Sequence, residues 1–289
     1  MSDIQYKAAK TVREAVGLMA AAKGKGYILA GGTDLLVQMK SGARTPGVIV
    51  DVKKIPEMVS VVEKNGAFTI GAATPAAVLG EHKKLRKAWP GVIEAANLIG
   101  STQVQGRASA GGNLCNASPA ADSVPALIAA GAVATLAGPK GRRDLLVEDV
   151  MLGPRKLALT KGEIVVSFLL PPRPPRSSDA YLRFIPRTEM DIAVVGAGVS
   201  LSLDAGGTIT AARVSLGAVA ARVLLVSEAA QAIIGSRLDK AAQDRLEAAA
   251  RAACRPIDDK RGTIEFRIDV AAVLTRRTAL IALDRARAN

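Results

Sequence analysis

Two glycine-paired segments hold the chemistry that this 289-residue chain offers most openly. They are Ala30-Gly31-Gly32-Thr33-Asp34-Leu35 and Ser109-Ala110-Gly111-Gly112-Asn113-Leu114. Adjacent glycines let the backbone approach a ligand closely and take positive φ, so that successive N–H groups converge on an anion. Thr33 and Asn113 add side-chain donors. Apolar, helix-like sequence follows each pair, and a helix N-terminus favours negative charge. Two such loops could embrace the two phosphates of a pyrophosphate. Neither reads GxGxxG, and neither runs into Gly-Lys-Ser/Thr, so a Rossmann fingerprint and a P-loop are both excluded. Taken singly, each pair is also compatible with an ordinary turn.

The remaining reactive side chains are few. Two cysteines, Cys115 and Cys254, cannot build a four-thiolate iron–sulfur or zinc site, and their separation excludes a CxxC motif. The one histidine, His82, leaves a single candidate for Ser-His-Asp chemistry and excludes a multi-histidine metal centre. Catalytic and metal-ligating residues are therefore expected to be absent from this chain, and the chemistry to ride on a bound cofactor. The bland readings of single residues are a His82 in a solvated loop or at a helix start, a small buried Cys115 and an Asp122 that caps a helix. The net charge of +13 raises nucleic-acid binding. Against it, one Trp, three Tyr and four Phe are scattered and form no stacking platform. A solvated basic surface, or one facing acidic partner subunits, fits better. No apolar run approaches the ~20 residues of a membrane span, and the N-terminus lacks a signal-peptide profile. The expected setting is cytoplasmic.

Patterning along the chain is α+β throughout. Thr11 caps a helical pattern. Tyr27–Ala30 and Val48–Val52 read as strands around a short helix from Leu35, a small βαβ unit. Lys64-Asn65-Gly66 marks a hairpin. Helical patterns occupy about 75–99 and 122–131, with strands at Val133–Ala137, Arg142–Val147 and Ile164–Leu169. Pro171-Pro172-Arg173-Pro174-Pro175-Arg176 can continue neither a helix nor a central strand and reads as a linker. Lysine prevails over arginine before it and arginine over lysine after it. Beyond it come strands at Ala180–Ile185, Ile192–Leu203 and Thr208–Gly217, then helices near 227–234, 239–253 and 263–286. The Arg-rich end, from Arg276-Arg277 to Arg287, is either an exposed face or a docking surface.

In this order the landmarks resemble the FAD-binding medium subunit of molybdenum hydroxylases, the family of the carbon monoxide dehydrogenase and xanthine dehydrogenase flavoproteins. The resemblance rests on Ala30–Leu36, Asp51, Ile70-Gly71-Ala72 and Gly111–Leu114. It continues through Ser118–Asp122, Gly162–Ile164, Arg187–Ala193, Arg261–Arg267 and Leu274–Arg277. It implies a two-subdomain FAD-binding fold of the vanillyl-alcohol oxidase type, followed by a C-terminal domain of a three-stranded sheet plus helices. The implied bounds are 1–55 and 56–174 for the two FAD-binding subdomains and 175–289 for the C-terminal domain. It also implies a set of FAD contacts. The pyrophosphate loops fall on Ala30, Gly31, Gly32, Thr33, Asp34 and Leu35 and on Ser109, Ala110, Gly111, Gly112 and Asn113. An acidic contact to ribose or adenine falls on Asp122, and an apolar flavin contact on Val165. Arg183 stands where a lysine is common near the isoalloxazine, and Ile192 where an apolar or aromatic residue meets the ring.

The function implied is electron transfer in a complex. FAD here would take electrons from two [2Fe-2S] clusters on a small subunit, fed by a molybdopterin cofactor on a large subunit, and pass them to an external acceptor. The assembly implied is a dimer of heterotrimers. Departures from the family pattern are Ser109-Ala110 for Thr-Ile, and Gln103-Val104-Gln105-Gly106 for Gln-Ile-Arg-Asn, which loses an arginine and leaves Arg107 nearby. Cys115 runs straight into Asn116-Ala117-Ser118-Pro119, so the cysteine-rich insertion of one branch of the family is missing. The alternative is a self-sufficient flavin-dependent reductase of the same fold, which would need an in-chain proton donor.

Overall fold

The computed structural model describes residues 4–187 and 189–289. Met1-Ser2-Asp3, and Thr188 within the Arg187–Ala193 landmark, lie outside the described residues. The chain opens with β1 (Gln5–Ala8), α1 (Val12–Ala21), β2 (Gly26–Leu29), α2 (Leu35–Lys40) and β3 (Val48–Asp51). The three strands form a parallel sheet in the order β1-β3-β2. Thr11 caps α1 as its composition indicates, its side chain accepting from the Glu14 amide at 3.1 Å. Strand β1 has no counterpart in the sequence reading. It is an edge strand whose side chains are mostly exposed, so it shows no apolar alternation.

Next come α3 (Pro56–Val59), β4 (Val61–Lys64), β5 (Ala67–Gly71), α4 (Ala76–Glu81), α5 (Lys83–Ala88), α6 (Pro90–Asn97), α7 (Thr102–Gln105), α8 (Ala110–Cys115) and α9 (Ser123–Ala129). The β4–β5 turn places Asn65 at φ 51° and Gly66 at φ 78°, the left-handed pair that a tight hairpin requires. The helical pattern over 75–99 is broken twice. His82 ends α4 and caps α5, its Nδ1 accepting from the Leu85 amide at 3.1 Å. Pro90 lacks a donor and so stands at the first position of α6. Trp89, between them, is buried.

The middle of the chain closes with β6 (Val133–Gly138), β7 (Gly141–Leu146), α10 (Val147–Val150), β8 (Met151–Gly153), β9 (Lys156–Leu157) and β10 (Ile164–Leu170). A five-stranded antiparallel sheet runs β4-β5-β10-β6-β7, so the last of these strands inserts between the two hairpins. Strand β10 is buried at six of its seven positions, which explains its nearly continuous apolar run.

After the proline-rich segment follow β11 (Ser177–Phe184), β12 (Val195–Leu203), β13 (Ile209–Gly217), β14 (Leu224–Leu225), α11 (Ser227–Gln231), α12 (Lys240–Ala253) and α13 (Ile264–Ala288). The antiparallel sheet runs β11-β12-β13-β14, the three expected strands plus a two-residue edge. Alternation on β12 sorts its faces. Val195, Ala197, Val199 and Leu201 join the core under α12 and α13, where Ala271, Ala279, Ala282 and Ala286 bring α13 close to the sheet. Gly198 faces the other way, and a Cβ there would stand 2.7 Å from the Pro125 carbonyl oxygen on α9. The sheet is thus covered on both faces. The expected linker is anchored: Arg173 lies 3.7 Å over the Trp89 ring and pairs with buried Asp179 at 2.6 Å. Asp179 also accepts from the Val92 amide at 3.2 Å, at the start of α6.

Candidate functional site: a glycine-walled cleft

A cleft of about 280 Å³ opens between the β2–α2 loop, α8 and the start of β10. Ala30, Gly31, Gly32, Thr33, Asp34 and Leu35 line it from one side, Ser109, Gly111, Gly112 and Asn113 from another, and Val165 from the sheet. The structure therefore gathers both glycine segments on one cavity, as expected. The two are also fastened to each other. A Cβ on Gly31 would lie 2.1 Å from the Arg107 carbonyl oxygen, so only a glycine lets the first loop rest on the approach to the second.

The two segments differ physically, which their similar sequences do not show. In the first, Gly32 takes φ +80° and the loop delivers the chain into α2. The amides of Gly31 through Leu35 donate to no acceptor within hydrogen-bond distance among the described residues. Unspent donors at a helix start are what an anion cradle requires. In the second, Gly111 and Gly112 are helical rather than left-handed, a correction to the expected φ > 0. The Gly111 amide is spent on the Ala72 carbonyl at 2.9 Å, and the Gly112 amide on the Oγ of Ser109, which caps α8. A Cβ on Gly111 would sit 2.3 Å from the Ala72 oxygen, so this glycine serves close packing of α8 on β5's extension. Asn113 Oδ1 accepts from the Ser123 amide at 3.0 Å and from its hydroxyl at 2.7 Å, leaving Nδ2 as the side-chain donor.

Four proposed contacts do not line this cleft: Ala110, Asp122, Arg183 and Ile192. Ala110 is buried behind it. Asp122 and Arg183 are brought together with each other. The Arg183 guanidinium donates to Asp122 at 2.9 Å and to the Leu98 carbonyl at 2.8 Å, while the Tyr181 hydroxyl donates to Asp122 at 3.3 Å. Asp122 makes no capping bond to α9. Burial pushes its pKa up to about 6, against the opposing pull of Arg183 and Tyr181. Ile192 is exposed.

The cleft also contains residues that the sequence reading left out. Cys115 lies on its wall and is exposed, where a small buried thiol was expected. Desolvation pushes the thiol itself up to about 12, away from thiolate character. Glu163 is held by the Arg143 fork at 2.8 Å and lowered to about 2, chiefly by that bond. Tyr27, Gln38 and Arg44 form a polar group at the end of β2 and α2. These last three carry no sequence signal, because polar residues on a short strand and helix show no period. No group of three potential metal ligands occurs among the described residues. The side chains present can bind an extended anion against apolar walls; they do not assemble an acid–base pair or an activated nucleophile.

Comparison with known proteins names the ligand such a cleft takes. Residues 2–173 match the family described as FAD binding domain in molybdopterin dehydrogenase. The chain belongs to that family. Residues 180–282 match the CO dehydrogenase flavoprotein C-terminal domain. Among curated proteins, the carbon monoxide dehydrogenase medium chain of Afipia carboxidovorans is 32% identical, covering 98% of this chain and 96% of its own length. A putative xanthine dehydrogenase FAD-binding subunit of Escherichia coli is 27% identical over 94% of this chain and 93% of its own. Among solved structures, a chain of Cu,Mo-CO dehydrogenase superposes with a TM-score of 0.94 at 31% identity, covering 98% of both chains. The family's FAD fits the residues here on a structural ground: a run of unspent amides in a cradle that a Cβ at Gly31 would disrupt. The chain is an FAD-binding oxidoreductase subunit of the α+β type expected. No helix among the described residues is long and apolar enough to cross a membrane.

Proposed function

We propose that this chain is the FAD-carrying electron-transfer subunit of a cytoplasmic molybdenum hydroxylase. A small subunit with two [2Fe-2S] clusters delivers electrons, a large subunit with the molybdopterin cofactor generates them, and the trimers pair as a dimer of heterotrimers. The observation that carries this reading is the cleft itself, rich in backbone donors and poor in catalytic side chains. Bound FAD supplies the redox chemistry. Each residue then has a limited task. The amides of Gly31–Leu35 hold the pyrophosphate, with Thr33 and Asn113 Nδ2 as further donors. Val165 and its neighbour Ile164 wall the site with apolar surface and exclude water. The Asp122–Arg183–Tyr181 cluster fixes the Leu98 segment beside the cleft, and Ile192 covers the outer side of the flavin. The bounds 1–55, 56–174 and 175–289 divide the chain for these tasks.

A self-sufficient reductase is disfavoured because the side chains on the cleft wall assemble no acid–base pair. Isolation of the native complex through a tag on this chain tests the proposal. Molybdenum and iron should elute with the flavin in fixed proportion. A flavoprotein that elutes alone, without either metal, overturns the subunit reading.

A further inference from the structure

A second crevice, of about 350 Å³, opens where α5 and α6 meet β11 and the C-terminal end of α13. Its volume falls within the ~300–1,000 Å³ of small-molecule sites. The walls come from both sides of the proline-rich segment, with Arg86, Lys87 and Pro90 before it and Ser178, Arg285 and Ala288 after it. Part of the wall is already committed. Arg285 pairs with Glu94 and donates to the Asp179 carbonyl at 3.0 Å. Glu94 also accepts from the Tyr181 amide at 3.0 Å, and Asn289 Nδ2 donates to the Ser177 carbonyl at 3.2 Å.

Three donors on that wall are uncommitted. Arg86 and Lys87 are exposed, and neither has a carboxylate within ion-pair distance among the described residues. Ser178 is instead 1% exposed, and its hydroxyl has no hydrogen-bond partner among the described residues. On β11 it shares a face with Ala180, which packs under α13, whereas Asp179 between them turns to α6. Buried polar atoms are almost always paired, so a lone hydroxyl on a cavity wall calls for an acceptor from outside the chain.

Charge narrows what that acceptor is. The one side-chain carboxylate on the wall, Glu94, is already met by Arg285. Two unpaired cations and a hydroxyl match a dianion with three oxygens better than a carboxylate with one charge and two oxygens. The guanidinium brings a planar fork and the ammonium a point charge, both of which serve phosphate. Pro90 and Ala288 offer apolar surface beside them for an organic body.

We propose that this crevice binds a small organic phosphate monoester, with Arg86 and Lys87 holding the phosphate at the rim and Ser178 donating to it from the wall. It shares no lining residue with the glycine-walled cleft, so the proposal goes beyond the FAD reading and does not depend on it.

The test is calorimetric titration of the full-length chain, loaded with FAD and freed of unbound flavin. The probes are phenyl phosphate, inorganic phosphate and benzoate. Phenyl phosphate should bind at one site, inorganic phosphate more weakly for want of the apolar body, and benzoate not measurably. Arg86→Ala and Lys87→Ala should each weaken phenyl phosphate about tenfold, and Ser178→Ala about fivefold. Lys83→Ala removes an equal charge from α5 outside the crevice and should stay within about twofold of wild type in physiological salt. A wild-type chain that takes up no phenyl phosphate at millimolar concentration overturns the assignment. So does benzoate or inorganic phosphate binding as tightly as phenyl phosphate, Ser178→Ala without effect, or Lys83→Ala losing as much as Arg86→Ala.

Discussion

A methyl group added at Gly31 would stand 2.1 Å from the Arg107 carbonyl oxygen, whereas one at Gly112 would stand 3.2 Å from the Ser109 hydroxyl. The first contact is with backbone that cannot yield without moving the second loop; the second is an ordinary crowding of a rotatable side chain. Overpacking of the first kind costs about 1–3 kcal/mol. Gly31→Ala should therefore lower the thermal midpoint of the flavin-free chain by several degrees and weaken FAD binding, while Gly112→Ala does far less to the midpoint. Equal midpoints for the two variants would show that the loops do not brace each other. The glycine pairs were legible as a site from residue types alone. That Gly32 turns the chain while Gly111 serves packing was not, because both roles are spelled by the same letter. Arg44 was illegible for a different reason: its partners Tyr27 and Gln38 meet it only once β2 and α2 lie side by side.

The elements best read in advance are those with a buried face. Strands β10 to β13 and helices α12 and α13 carry apolar patterns that packing enforces, and they occur close to their expected bounds. Strand β1 escaped notice because its outer edge is wet, and the 75–99 helix is broken where His82 and Pro90 each offer a capping or donor-free alternative. Between elements, β11 meets the start of α9 through the Asp122–Arg183 pair. The folded-state pKa of Asp122 is about 6, above its ordinary value of 3.8, so the folded chain holds an extra proton between these values. Stability from this group is therefore lost as pH rises from about 4 to about 6. Asp179, also raised to about 6 by burial, acts in the same direction. Asp122→Asn should remove the Asp122 share. The midpoint difference between variant and wild type should change through that window and level off above it. A constant difference from pH 4 to 7 would show that Asp122 titrates normally.

At the scale of the whole molecule, the shortage of thiols and imidazole and the basic balance take on meaning together. Two cysteines and one histidine leave no room for a metal centre built from thiolates or several imidazoles, and the cleft offers a place for a cofactor instead. The net charge of +13 sits on a chain whose sheets and helices are arranged as in a subunit of a larger dehydrogenase, with TM-scores above 0.9 to chains of CO dehydrogenase. The landmarks that carried this reading are spread over nearly the full length. For that reason family and fold were legible together, while substrate and acceptor, set by other surfaces, were not. The most direct measurement is stoichiometric titration of the flavin-free chain with FAD, followed by gel filtration and a visible spectrum. The account predicts saturation at one FAD per chain with flavin bands that travel with the protein. A protein peak without flavin absorbance, from a chain that remains folded, would contradict it.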